Sequence, residues 1–119
     1  MVVSQGDVFW AVLPEPFGGP RASPRPVVVV QNDAFNRSGI NSLVVAHLTT
    51  NLKRAHSPGN VLLGKGEANL PERSVVNITQ ITTVLRSQLL EKVGTLPAKR
   101  LAEVLAGIRL LIRPMKASE

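Results

Sequence analysis

The chain has 119 residues and a net charge of +6, from 14 Lys and Arg against eight Asp and Glu. That length suits a single domain over 1–119, and a 44% hydrophobic composition suits a folded one. With no cysteine and only two histidines, His47 and His56, disulfides, thiolate zinc sites, cysteine nucleophiles and an ordinary zinc centre are excluded.

The opening MVVSQGDVFW lacks a basic region followed by an apolar run, so a secretory signal is not expected. No apolar stretch approaches the ~20 residues that span a bilayer. Residues 6–13, GDVFWAVL, read as a first strand. Residues 14–26, PEPFGGPRASPRP, hold five Pro and two Gly, which excludes helix or inner strand and predicts a long loop beside a binding site. The β-branched run 27–32 reads as a strand buried on both faces. A turn at 33–41 leads to a strand at 42–49, a basic polar loop at 50–59 and a short strand at 60–63. After a loop over 64–73 come a longer strand at 74–84, a helical turn at 86–90 and a strand-like piece at 91–96.

The last element is a helix. Pro97 suits a helix start, and Pro114 stops it. Leu101, Val104, Leu105, Ile108, Leu111 and Ile112 recur at helical spacing as one apolar stripe, which is read as core with part available to a dimer interface. Five or more short strands followed by one terminal helix predict a mainly β protein: a small, partly closed barrel with a helix packed on it.

The charge is uneven. Residues 1–40 carry three positive and three negative side chains, whereas 76–119 carry seven and three. Such a balance fits either a solubilising surface or attraction to a polyanion. Three Phe, one Trp and no Tyr leave no wide platform for stacking bases.

Several segments together form a pattern. RPVVVVQND at 25–33 follows the opening GDVFWAVL, and VVAHLTTN at 44–51, PGNVLL at 58–63, LPERSVVNITQI at 70–81 and RLAEVLAGIRLLI at 100–112 come after it. In order and spacing these resemble the MazF/PemK family of toxin endoribonucleases, over roughly residues 5–113. The resemblance implies an SH3-like β-barrel of the kind shared by MazF, PemK and CcdB toxins, working as a homodimer in the cytoplasm. It implies cleavage of single-stranded RNA, mRNA included, at short motifs with no metal or other cofactor. It also implies silencing by an acidic, partly disordered MazE-like antitoxin.

The chemistry restricts the candidates. RNA breaks when its 2′-hydroxyl attacks the adjacent phosphorus, so an enzyme must steady phosphate charge, align the attack and move protons. Arg25 matches the family's catalytic Arg, and a guanidinium grips two phosphate oxygens at once. Thr49 matches the catalytic Thr, with Thr50 its neighbour on the opposite strand face. Thr79 stands where some relatives place a carboxylate before the residue matching Gln80. His47, two residues before Thr49 and on the same face, is the substitute proton acceptor, or else a hydrogen-bonded strand histidine. Gln80 is read as an RNA or loop contact, or as a structural amide. Arg21 and Ser23 in the first loop, Lys53, Arg54 and His56 in the third, and Arg86 are candidate RNA contacts, or ordinary exposed charges.

Two other functions share this pattern: a CcdB-like toxin that binds gyrase, and a barrel that binds RNA without cutting it. The gyrase-binding toxins carry a functional Trp near the C-terminus, whereas here the sole Trp is Trp10 and the chain ends RPMKASE.

Overall fold

Four consecutive valines cannot leave alternate side chains in water, and the structure buries both sides of their strand. The computed structural model describes residues 1–13 and 23–117. Among the described residues six strands form one antiparallel sheet: β1 (Asp7–Val12), β2 (Pro24–Val29), β3 (Ser42–Thr49), β4 (Val61–Leu63), β5 (Ser74–Leu85) and β6 (Leu89–Thr95). Their order across the sheet is β4-β5-β3-β2-β1-β6. A short helix, α1 (Asp33–Asn36), follows β2, and the terminal helix, α2 (Ala98–Ile112), follows β6. No helix among the described residues is long and apolar enough to cross a membrane.

Alternation along the strands makes two apolar clusters. Val8, Val28, Ala46, Val76 and Ile78 face α2, where Val104 packs fully buried among them. Phe9, Val27, Val29, Leu43 and Val45 face the other way and gather Val84 of β5 with Leu89 of β6. β5 and β6 are four places apart in the sheet, so their meeting in one cluster shows the sheet curled into a half-barrel. This is the expected architecture, with six strands.

The stretch read as a turn at 33–41 holds α1, β6 starts at Leu89 rather than at 91, and β2 differs from the sequence expectation at both ends. β2 begins at Pro24 rather than at Val27, so it enters the segment read as loop. It also ends at Val29, because the side chain of Gln31 bonds β3 at Ser42 and Val44 while Asn32 turns to cap α1. The prolines are tolerated for a directional reason. Val30 donates to the Val44 carbonyl, so even-numbered positions of β2 address β3. Pro24 and Pro26 therefore turn their missing donors toward β3 and not toward β1. Pairing with β1 continues to Val12↔Pro24, whereas the ladder with β3 runs only from Val29↔Val45 to Val27↔His47.

Helix α2 is held by polar and steric contacts. Arg100 bonds Glu67 at 3.0 Å and Glu103 at 3.1 Å. The apolar stripe packs through Ile108, while Leu111 and Ile112 in the last turn are exposed. Gly107 lies against the backbone of Gly59, where a Cβ would sit 2.2 Å from the Gly59 carbonyl oxygen. Backbone cannot yield as a side-chain tip can. Gly107→Ala is expected to destabilise by about 1–3 kcal/mol in urea unfolding, overriding the helix propensity of Ala. Gly64→Ala, with nothing near its Cβ, is expected to change stability by less than about 1 kcal/mol.

Candidate active site

The parting of β2 from β3 opens a polar row at one end of the sheet. Arg25 is exposed on β2 and paired with Ala11 of β1. Continuing the β2–β3 register two residues past Val27↔His47 brings Arg25 level with Thr49. His47 sits on the same face of β3 as Thr49 and is only 6% exposed. Burial pushes its imidazole below the ordinary value of 6.5, and the positive charge of Arg25 lowers it further. At neutral pH His47 is therefore uncharged, beside a fixed cation. Its ring can accept a proton.

Thr49 is half-buried at the end of β3, and its Oγ1 accepts the backbone N–H of Asn51 at 3.1 Å. A hydroxyl that accepts there keeps its own proton to donate elsewhere. Thr50 is exposed. Asn51 accepts from the Lys53 N–H and caps a 3₁₀ turn, Leu52–His56. That turn displays Lys53, Arg54 and His56 to solvent. Ser23 is exposed two residues before Arg25, and Arg21 lies outside the described residues.

Across β3, His47 faces Asn77 of β5. Ala46 pairs with Ile81, so one step along β3 corresponds to four along β5. The three extra residues, Ile78, Thr79 and Gln80, form a bulge that re-aims its side chains. Asn77, 7% exposed, donates from Nδ2 to Gln80 Oε1 at 3.0 Å and accepts from Thr79 Oγ1 at 3.0 Å. Asn60, just before β4, accepts the Ile78 N–H and donates to the Arg54 carbonyl. Asn60 and Asn77 belong to the candidate site by these contacts, and the sequence reading did not single them out. A signal for Asn77 was present: Asn77 and Gln80 are the two amides that interrupt an otherwise β-branched run, VVNITQITTV.

Arg86 is elsewhere. It follows β5 at the far end of the sheet, level with Ser42 rather than Thr49. Its Nε donates to the Ile40 carbonyl at 3.1 Å, and its guanidinium also holds the Asn36 carbonyl. Among the described residues no three of His, Asp and Glu come together as a metal-holding group.

This arrangement can be set beside known proteins. The model of the PemK-like, MazF-like toxin of type II toxin–antitoxin systems matches residues 4–112. The chain belongs to that family. A Mycobacterium bovis protein named endoribonuclease MazF2 is 39% identical over 112 residues, covering 94% of this chain and 98% of the relative. An endoribonuclease MazF from Staphylococcus saprophyticus is 33% identical over 103 residues, covering 87% and 85%. A solved mycobacterial endoribonuclease in complex with its cognate antitoxin shares the fold at a TM-score of 0.77. That match has 23% identity and covers 96% of this chain and 99% of the other. Within this MazF-like fold, the polar row at the Arg25 end brings together Arg25, His47, Thr49, Asn77 and Gln80, and leaves Arg86 apart.

The His47 environment is directly measurable. An NMR titration of the imidazole is expected to give a midpoint below 6.5. Arg25→Ala is expected to raise it only part of the way back, since burial is the larger cause. Because the unfolded chain takes up this proton first, the His47 contribution makes the fold less stable as pH drops below 6.5, down to the folded-state midpoint.

Proposed function

We propose that this chain is a sequence-specific endoribonuclease that cleaves single-stranded RNA, mRNA included, without a metal or other cofactor, as the toxin of a toxin–antitoxin pair. The observation that carries the reading is the placement of a neutral, buried His47 beside the fixed charge of Arg25 where β2 leaves β3. Family membership and the endoribonuclease names of the relatives support the same activity.

Arg25 forks onto two non-bridging oxygens of the scissile phosphate and steadies the charge that grows there. Thr49 donates its hydroxyl proton to the same phosphate. His47 takes the proton of the 2′-hydroxyl as that oxygen bonds to phosphorus. The bond from phosphorus to the 5′-oxygen breaks, the leaving oxygen takes a proton from water, and His47 returns its proton to solvent. The products are a 2′,3′-cyclic phosphate and a 5′-hydroxyl. Ser23, Lys53 and Arg54 track the flanking backbone.

A homodimer, a cytoplasmic location and a cognate acidic MazE-like antitoxin belong to the same reading. The net charge of +6 gives an acidic partner long-range attraction. The solved mycobacterial relative is seen with its own antitoxin.

Purified protein incubated with a long RNA in EDTA is expected to produce discrete cuts with cyclic-phosphate ends. A 5′-phosphate product, or activity that EDTA removes and magnesium restores, contradicts the mechanism. Arg25→Ala is expected to lower cleavage by about 10²–10³-fold with the fold intact, and Arg25→Lys to recover little of it. The rate is expected to fall with acid only below pH 6.5, following the lowered His47 midpoint.

Salt dependence separates the remaining cations. If Lys53 and Arg54 meet phosphates, each Ala substitution reduces the slope of log affinity against log salt by about 0.7. Arg86→Ala is expected to leave that slope alone and to cost about 1–3 kcal/mol of stability, from the carbonyls it leaves without a donor.

A further inference from the structure

The amides beside His47 have a direction, and the backbone sets it. An amide side chain offers an oxygen acceptor at one end and an NH₂ donor at the other, and only its partners decide which end faces where. Asn60 is held at both ends by main chain: its Oδ1 takes the Ile78 N–H at 3.0 Å, and its Nδ2 gives to the Arg54 carbonyl at 2.9 Å. Neither main-chain group can reverse its role. The Nδ2 of Asn60 also approaches Asn77 Oδ1 at 3.4 Å, and the Thr79 hydroxyl donates to that same oxygen at 3.0 Å. The Asn60 NH₂ cannot accept, so it holds the Asn77 oxygen toward itself, and the Thr79 hydroxyl, which can donate or accept, follows by donating. The Asn77 Nδ2 is left to face Gln80, which must answer with Oε1, at 3.0 Å. The NH₂ of exposed Gln80 then points away from the relay.

We infer that Asn77, oriented by Asn60, is a positioning residue that fixes Gln80 as a hydrogen-bond donor toward bound RNA, and that Gln80 thereby selects a keto base, guanine or uracil, at one position of the cleavage motif. The inference rests on the endoribonuclease reading and adds a specificity determinant to it. Guanine O6 and uracil O4 accept a hydrogen bond where adenine and cytosine present an amino group. An NH₂ held toward that edge bonds the first pair and opposes two donors in the second. Unstacked bases of single-stranded RNA expose this edge. The site is built before RNA arrives, since Asn77 is nine-tenths buried and its polar atoms are all engaged.

The test exploits the relay's direction. Asn77→Asp keeps the shape but replaces the NH₂ with an oxygen, so Gln80 must rotate its amide to donate inward and present its oxygen outward. Gln80→Glu presents an oxygen directly. Wild type, Asn77→Asp and Gln80→Glu would each cut a randomised RNA pool at pH 8, with the ends sequenced and cooperative melting checked. Wild type is expected to favour G or U over A or C at one position near the cut by about tenfold or more. Both variants are expected to reverse that preference at the same position, which a merely structural role of Asn77 would not do. Variants that cut the wild-type motif, at whatever rate, overturn the inference and leave the nuclease reading standing. Wild-type protein that cuts no RNA overturns both. If Asn77→Asp does not melt cooperatively, the exposed Gln80→Glu substitution decides alone.

Discussion

A connection of three residues, Arg86–Gln88, sets the shape of the molecule. It joins β5 to β6, which stand four places apart in the sheet. In a flat sheet those strands would be about 19 Å apart. The chain from Leu85 to Leu89 reaches at most about 14 Å even when extended, and a 3₁₀ turn is shorter still. The sheet must therefore curl. Arg86 and Gln88 hold the connection in place: the Arg86 main chain and guanidinium bond carbonyls at 36, 40 and 41, and Gln88 bonds both Leu85 and Val12. Curling encloses the cluster around Phe9, Val84 and Leu89, which in turn supports the strand face that carries Arg25 and His47.

The candidate site combines a buried neutral imidazole with an exposed cation. Moving His47 toward the surface would return its proton affinity to the ordinary range, while taking Arg25 inward would strip a guanidinium of water at a cost of several kcal/mol. Placing them on adjacent strands at the rim of a core avoids both. The bulge in β5 completes the row, because regular pairing beyond Asn77 would have put Gln80 on the opposite face from its partner. Asn60 supplies the main-chain contacts the bulge would otherwise lack.

The sequence made the strands, the terminal helix and the row of Arg25, His47 and Thr49 legible, each through a local signal. Strand periodicity needs only neighbours, and two residues of spacing suffice to place His47 and Thr49 on one face. Less legible were features decided by direction or by distant partners. Pro24 and Pro26 read as breakers because a sequence does not say which neighbour a missing donor faces. Arg86 read as an RNA contact or an ordinary exposed charge, with no sign of its structural bonds, because its carbonyl partners lie 46 and 50 residues away. Asn60 and Asn77 meet across 17 residues, and neither type identifies itself as a site residue when seen alone.

The prolines of β2 have a consequence beyond pairing. A gap between strands can be made by a segment that swings aside, in which case each arriving ligand must supply the work of opening it. Here the opening beside Arg25 follows from two nitrogen atoms that carry no hydrogen. Zipping β2 onto β3 past Val27 would gain no donated N–H from either proline and only bonds to their carbonyls, so the closed alternative has half the usual ladder to stabilise it. The rim is preorganised, with its conformational entropy already lost when the sheet folds and not when a substrate docks.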